Sequence, residues 1–192
     1  IEDWEGCLPK VTHKRDSEVN ALPESLNLAI RCFLINQGIL NQNKQTDKHH
    51  TMMINVSRFT DVNDKIVDKV DHYFNTLKNS IKLTNPEQFL NSNDENIQDI
   101  KNTLEMKYSN LELDENEIFS YIKKSIDDIE IHSVFGRNNY SRYDDPQFRG
   151  KGLKCIKIGG DILSRGLTLE GLSISYYYRK AGAKDTLMQM GR

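Results

Sequence analysis

The chain has 192 residues and a mass of 22.2 kDa, which suits a single domain with its own core, with or without an insertion. Lys and Arg number 26 against 28 Asp and Glu, so the formal net charge is −2 and there is no overall basic surface for nucleic acid. The mean hydropathy is −0.65, and no apolar run approaches the roughly 20 residues that span a bilayer, so we expect no membrane segment.

The cysteines and the first residues indicate the compartment. Cys7, Cys32 and Cys155 are far apart and form no CxxC pair, so we expect neither a disulfide framework nor a zinc knuckle. Cys32 and Cys155 lie in apolar runs and are predicted to be buried thiols in a reducing environment. The start, IEDWEGCLPK, is polar and has no initiator Met, so we expect a piece of a larger cytoplasmic protein, cut at both ends.

The first half of the chain predicts helix, strand and helix. A helix begins near Leu22, with Pro23 in its first turn, apolar residues at helical spacing and Gly38 close to its end. The polar stretch NQNKQTDKHH predicts a loop, and residues 51–57, TMMINVS, a buried strand. A second helix is predicted for residues 61–80, where one apolar stripe faces the core: Ile66, Val70, Phe74 and Leu77.

Residues 84–128 differ in composition from the rest, being rich in Asn, Asp, Glu and Lys. Pro86 begins a predicted helix, and further helices are predicted near residues 97–104 and 117–126. We interpret this stretch as a helical insertion within the domain. Its low apolar content leaves partial disorder as the alternative.

Three further strands are predicted in the second half, at residues 129–135, 153–158 and 172–178. Strands separated by helices or long crossovers favour a mostly parallel α/β sheet. In the last strand, apolar and aromatic residues alternate with Ser173, Ser175 and Tyr177. We expect Tyr176, Tyr177 and Tyr178 to pack in the core and at its rim instead of stacking on bases. Asp144 and Asp145, before Pro146, predict a turn.

The stretch from Ile158 to Arg192, IGGDILSRGLTLEGLSISYYYRKAGAKDTLMQMGR, has the most functional information. It places an Arg-Gly step after one strand and a Gln-x-Gly-Arg step after the next. Sites in open α/β sheets form at the carboxyl ends of the strands, so these steps are predicted to share one crevice. Glycines at 159, 160, 166 and 171 allow sharp turns and a close approach of backbone to ligand.

GGDILSRGLTLEGL and DTLMQMGR resemble the Z-one domain family, which comprises restriction-associated endonucleases linked to superfamily-two helicases. LPESLNLAIRCFLI and MMINVSRFTDVNDKIVDKV resemble upstream segments of that family. The resemblance follows most of the chain in order, with little that is diagnostic in residues 84–128. It implies a DNA-acting protein of a bacterial restriction or defence system.

The layout also resembles the second RecA-like lobe of superfamily-two helicases, and this implies the fold and the site. Residues 1–192 would form one RecA-like lobe, truncated at its C-terminal end, with a mostly parallel sheet and flanking helices. The resemblance makes Arg192 an arginine finger for ATP bound on a missing first lobe, with Gln189 facing the nucleotide. It makes Ser57 and Arg58 a phosphate contact for nucleic acid. The turn that couples the bound nucleotide to the nucleic acid would consist of Gly160, Asp161, Ser164, Arg165, Gly166 and Thr168.

The chain departs from the helicase pattern in three ways. Thr168 stands where many helicases have Asp. Gln189 to Arg192 resemble the start of the sixth helicase motif, and the second arginine of that motif is absent after Arg192. We also find no GxxxxGK[ST] phosphate loop and no acidic box. ATP and Mg²⁺ would therefore be shared with the missing lobe, and this chain alone should not hydrolyse ATP.

Two alternatives stay open from the sequence. A nuclease would need an acid followed by acid-x-Lys on a strand, and the nearest match is Asp99 with Glu105 and Lys107, on a predicted helix. A non-catalytic interaction module would keep the fold without coupling to ATP. No metal site is expected, because His49 and His50 are adjacent and have no evident third ligand. Glu170 is predicted either to cap its turn or to pair with Arg165.

Overall fold

The structure is a computed structural model that describes residues 3–134, 142–160, 163 and 168–178. Within them, four strands form one sheet in the order β2-β3-β1-β4, and every neighbouring pair is parallel. The strands are β1 His50–Asn55, β2 Ile129–Val134, β3 Lys154–Gly159 and β4 Leu172–Tyr177. The predicted parallel α/β sheet is confirmed, and it is consistent with a RecA-like fold.

The long helices of the described residues lie on one face of this sheet. They are α1 Glu24–Gln42, α2 Thr60–Leu83, α3 Glu95–Tyr108 and α4 Glu115–Ser125. α1 packs against β1 and β4, α2 packs against β2 and β3, and α3 and α4 form an outer layer over α1. Short 3₁₀ turns at Pro86–Asn91, Ile126–Asp128 and Pro146–Phe148 complete the connections, the last one capped by Asp145 as the predicted turn requires.

Residues 84–128 are ordered helices that belong to the main core. Phe89 and Phe119 stack with ring centroids 4.4 Å apart, and Ile97, Ile118 and Ile122 are fully or almost fully buried in the same cluster as the sheet. The alternative of partial disorder is therefore wrong. That this stretch is an insertion stays a prediction.

Gly38 lies inside α1, which continues to Gln42. A Cβ atom at Gly38 would stand 2.9 Å from Ile122 Cγ1 and 3.0 Å from the carbonyl oxygen of Ile118. The glycine therefore allows α1 and α4 to approach closely, and it does not mark the end of a helix.

A buried arginine ties α2 and α3 to α1. Arg31 is 4% exposed and donates to Thr103 Oγ1 at 2.9 Å and Tyr73 Oη at 2.9 Å. It also pairs with the carboxylates of Glu24 and Asp99. A buried charge that loses its partners is strongly destabilising. The bonds of Arg31 therefore fix α2 and α3 against α1.

The opposite face of the sheet includes a buried lysine. Lys157 is 2% exposed, and its ammonium lies 4.2 Å from the centroid of the Tyr143 ring. Burial lowers the pKa of Lys157. Beside it, Cys155 is buried as predicted, whereas Cys32 in α1 is only half-buried. The carbonyl oxygen of Cys32 accepts from Tyr108 Oη. Both thiols are free.

Strand β4 alternates in burial as the sequence suggested, because Leu172, Ile174 and Tyr176 are each more buried than the residue that follows. Its pairing with β1 shifts between Thr51 and Met52, so Leu172 packs on the face of Met53 while Ile174 packs on the main core. Tyr176 and Tyr178 are buried, as expected from the sequence. Their hydroxyls bond Ser25 Oγ at 3.0 Å and the Pro9 carbonyl oxygen at 3.2 Å.

His50 begins β1 and is 1% exposed, so its assignment to a polar loop was wrong. Its Nδ1–H donates to Gln37 Oε1 at 2.8 Å, and its Nε2 accepts from Ser173 Oγ at 2.6 Å. The ring also stacks on Phe33 with centroids 4.3 Å apart. Burial, together with the nearby Lys154 ammonium, lowers the pKa of His50 to about 4. The neutral imidazole therefore links α1, β1 and β4.

No helix in the part of the chain that the structure describes has the length and apolar character needed to cross a bilayer.

We predict that His50 makes the fold sensitive to acid. Its pKa is lower in the folded state than in the unfolded chain, so the unfolded state gains protons first as the pH falls from about 6.5 towards 4. This single group should lower the free energy of unfolding by about 2 kcal/mol between roughly pH 7 and pH 5. In His50→Gln, the free energy of unfolding measured by urea denaturation should fall by about 2 kcal/mol less than in wild type over the same pH range. His72→Gln, on the exposed side of α2, is the control and should keep the wild-type dependence.

We also predict that an alanine at Gly152 lowers the free energy of unfolding more than an alanine at Gly150. Its φ is +62°, and a Cβ would stand 2.2 Å from the carbonyl oxygen of Lys48. Gly150 has a similar φ of +77° with nothing within 4 Å of its Cβ position. Gly150→Ala should therefore cost only the left-handed backbone term of about 1–2 kcal/mol. Gly152→Ala should cost about 1–3 kcal/mol more from overpacking. Equal losses by urea denaturation would show that the contact with Lys48 is unimportant.

Candidate functional site

The loops after β1 and β3 meet at the carboxyl edge of the sheet. Asn55 Nδ2, at the end of β1, donates to the Gly160 carbonyl oxygen at 3.0 Å. A Cβ at Gly160 would lie 2.9 Å from the carbonyl oxygen of Ser57 and 3.3 Å from the Cα of Arg58. Only glycine allows this approach, so the structure brings together Gly160, Ser57 and Arg58, three of the residues predicted for the site.

Ser57 lies beneath the surface of this edge and has no exposed area. Its Oγ accepts from the backbone N–H of Phe59 at 2.9 Å and lies 2.6 Å from His13 Nε2. Its carbonyl oxygen accepts from Asn63 Nδ2 at 2.9 Å, in the first turn of α2. The Ser57 side chain therefore holds the turn between β1 and α2 in place.

Arg58, by contrast, is exposed. Its guanidinium lies 4.7 Å from the centroid of the Phe59 ring, and it pairs with no carboxylate in the described residues. A cation held by an aromatic ring but free of an acidic partner can bind a phosphate oxygen without first breaking an ion pair.

Thr168 and Glu170 lie on the approach to β4. Thr168 is exposed. The carbonyl oxygen of Glu170 accepts from Thr51 Oγ1 at 2.8 Å, and its Oε2 lies 3.7 Å from His49 Nε2. Since His49 and Thr51 are at the start of β1, Glu170 belongs to the amino edge of the sheet. Its predicted pairing with Arg165 involves a residue outside the described ones.

The remaining predicted site residues also lie outside the described part of the chain, and their roles stay predictions. Asp161 follows Gly160 at the end of β3, and Gln189 follows the end of β4 in the sequence. The set outside the described residues comprises Asp161, Ser164, Arg165, Gly166, Gln189 and Arg192.

The nuclease alternative gains nothing from the geometry. Asp99 accepts from Arg31, and Glu105 faces Lys101 at 3.9 Å, both on α3 instead of on a strand. Lys107 is in the last turn of the same helix. Among residues 3–134, 142–160, 163 and 168–178, no group of three or more His, Cys, Asp or Glu side chains is arranged to hold a metal ion.

No pattern in the sequence indicates that His13 belongs to this edge. It is an isolated histidine in a polar segment, and its partner Ser57 is 44 residues away. Its Nδ1–H donates to the Lys10 carbonyl oxygen at 2.8 Å, and its ring meets Phe59 edge-on with centroids 5.6 Å apart. Only the folded chain reveals such long-range contacts.

Comparison with known proteins identifies one family. The family model described as Z1 domain matches residues 25–192. No curated protein and no solved structure matches the chain significantly.

We predict that Ser57 matters for stability through its two bonds. Ser57→Ala would leave the part-buried N–H of Phe59 and the His13 ring without their partner, and should lower the free energy of unfolding by about 1–3 kcal/mol. Ser175→Ala, on the exposed face of β4, is a matched control and should change it by less than about 0.5 kcal/mol. If urea denaturation gives the same small effect for both, the hydroxyl does not hold the turn.

Proposed function

The chain belongs to the Z1 domain family, and from that premise we propose that it is the second RecA-like lobe of a helicase-like ATPase. The protein would act on DNA in a bacterial restriction or defence system. The lobe would close over ATP and Mg²⁺ bound on a first lobe and would contact the phosphates of the nucleic acid.

One observation carries this proposal. The turn after β1, with Ser57 and Arg58, touches the turn after β3, with Gly160, at the carboxyl edge of a parallel sheet. The resemblance to the helicase lobe makes the first of these turns the nucleic-acid phosphate contact and the second the start of the coupling turn. Ligands of open α/β sheets bind at this edge, so a nucleic-acid contact and a coupling turn in direct backbone contact support a motor function.

In this proposal each segment has a separate task. Arg58 binds a phosphate of the nucleic acid, and Ser57 keeps the turn of Arg58 rigid. The turn that begins at Gly160 and includes Asp161, Ser164, Arg165, Gly166 and Thr168 transmits the state of the nucleotide to that contact. Gln189 faces the nucleotide.

Arg192 would supply the arginine finger. A planar guanidinium can neutralise the charge that develops on the transferred γ-phosphoryl group, and such a finger contributes about 10³–10⁵ in rate. Because β1 and β4 are parallel neighbours, the chain leaves β4 towards Arg192 from the same edge at which Arg58 lies. Ligands of open α/β sheets bind at this edge, which supports the proposed finger.

We predict that Arg192→Ala, made in the protein that has both lobes, lowers kcat for DNA-stimulated ATP hydrolysis by about 10³-fold. KM for ATP should change much less, because a finger acts mainly on the transition state. Arg149→Ala removes an exposed arginine from the loop before β3 and serves as the matched control, with unchanged kcat. An unchanged ATPase rate in Arg192→Ala would remove the finger and favour a non-catalytic interaction module.

A further inference from the structure

Residues 3–23, which we call the strap, lie across the carboxyl ends of β1 and β4. Trp4 packs on Tyr178 with ring centroids 5.8 Å apart, and Leu8 and Val19 are 5% exposed within the main core. The carboxylate of Asp3 accepts from the backbone N–H of Ser25 at 2.7 Å. The match to the Z1 domain model begins at residue 25, so the strap lies outside the matched residues.

His13 connects the strap to the candidate site. Its Nδ1–H donates to the Lys10 carbonyl oxygen, so in the neutral ring Nε2 accepts the hydroxyl proton of Ser57. Ser57 has no exposed area behind this bond. The strap, together with Arg58, therefore provides the outward-facing groups at this end of β1.

Exposed charges of both signs lie on the two segments that His13 joins, with Asp16 as the exposed acid closest to it in sequence. Lys10, Lys14 and Arg58 are exposed, and within the described residues none of them pairs with a carboxylate. Two neighbouring cations differ, because Arg15 pairs with Asp61 at 2.7 Å and Lys65 with Glu18 at 2.7 Å. Lys10, Lys14 and Arg58 thus outnumber Asp16, the one exposed acid of residues 10–16, on the segments joined by the His13–Ser57 bond.

We propose that Lys10, Lys14 and Arg58 form a contact for the phosphate backbone of single-stranded nucleic acid, with His13 as the residue that positions the strap against Ser57. The inference rests on the proposed function, because it extends the nucleic-acid contact of Arg58 onto the strap. Cations spread over two chain segments suit a row of phosphates, whereas one nucleotide would need a compact cradle. His13 and Arg58 share the Phe59 ring, which holds the two segments in register.

The test is fluorescence anisotropy of a labelled oligothymidine of about 16 nucleotides, titrated with the full chain between about 50 and 200 mM salt. The variant Lys10→Gln/Lys14→Gln should weaken binding about tenfold. The slope of log K against log salt should become shallower by about 1.4, since each lost phosphate contact on a single strand contributes about 0.7. Arg58→Gln should reduce the slope by about half as much.

A matched control removes the same charge at the other edge of the sheet. Lys44 and Lys48 are exposed in the loop before β1, and Lys44→Gln/Lys48→Gln should keep wild-type affinity and slope. If both double variants bind like wild type, or weaken equally, the strap contact is wrong while nucleic-acid binding by the lobe still stands. If wild type does not bind the strand at all, the strap contact and the proposed nucleic-acid function both fail.

A second arm separates a strand from a nucleotide as the source of the phosphates. In the protein that has both lobes, binding of a fluorescent ATP analogue should be the same in wild type and in Lys10→Gln/Lys14→Gln. If the variant loses the analogue but keeps the oligothymidine, these lysines serve the nucleotide and the inference is overturned.

Discussion

The parallel pairing of β1 with both β3 and β4 is the constraint on which the rest of the structure depends. Parallel strands end at the same edge, so the turns that follow them are neighbours however far apart they are in sequence. β1 is central, and all six of its residues are buried. Because a slip of one residue would turn every β1 side chain to the other face, the register with β3 is strongly specified. That register sets the contact between the Ser57 turn and Gly160.

Buried polar side chains at both ends of β1 reinforce this register. At the amino edge, His50 bonds Gln37 and Ser173, and at the carboxyl edge Asn55 bonds the Gly160 carbonyl oxygen. Each bond joins β1 to a different element, and each would be lost if the strand shifted. The glycines at 152 and 171 have a similar role. The carbonyl oxygen of Lys48 leaves no room for a Cβ at Gly152, and that of His49 leaves none at Gly171. Local polar contacts thus stabilise the geometry on which the site depends.

Local pattern was enough to predict the sheet and most helices, and it failed where contacts are long-range. The strands followed from short apolar runs such as TMMINVS, because a buried parallel strand is apolar on both faces. The packing role of Gly38 could not be predicted, because α4 approaches it with Ile118 and Ile122, some 80 residues later in the chain. His50 and His13 were missed because their partners come from distant segments. Of the candidate site, the adjacency of Arg58 and Gly160 could be predicted from topology, whereas the strap could not.

In the proposed function, this lobe is part of a motor whose ATP hydrolysis responds to nucleic acid. The most direct measurement is steady-state ATP hydrolysis by the protein that has both lobes, with and without single-stranded DNA. We expect Mg²⁺-dependent hydrolysis whose rate rises at least tenfold when the strand is added. Such a rise corresponds to an activation free energy lower by about 1.4 kcal/mol. Hydrolysis that is absent, or that is the same with and without DNA, would contradict the claim.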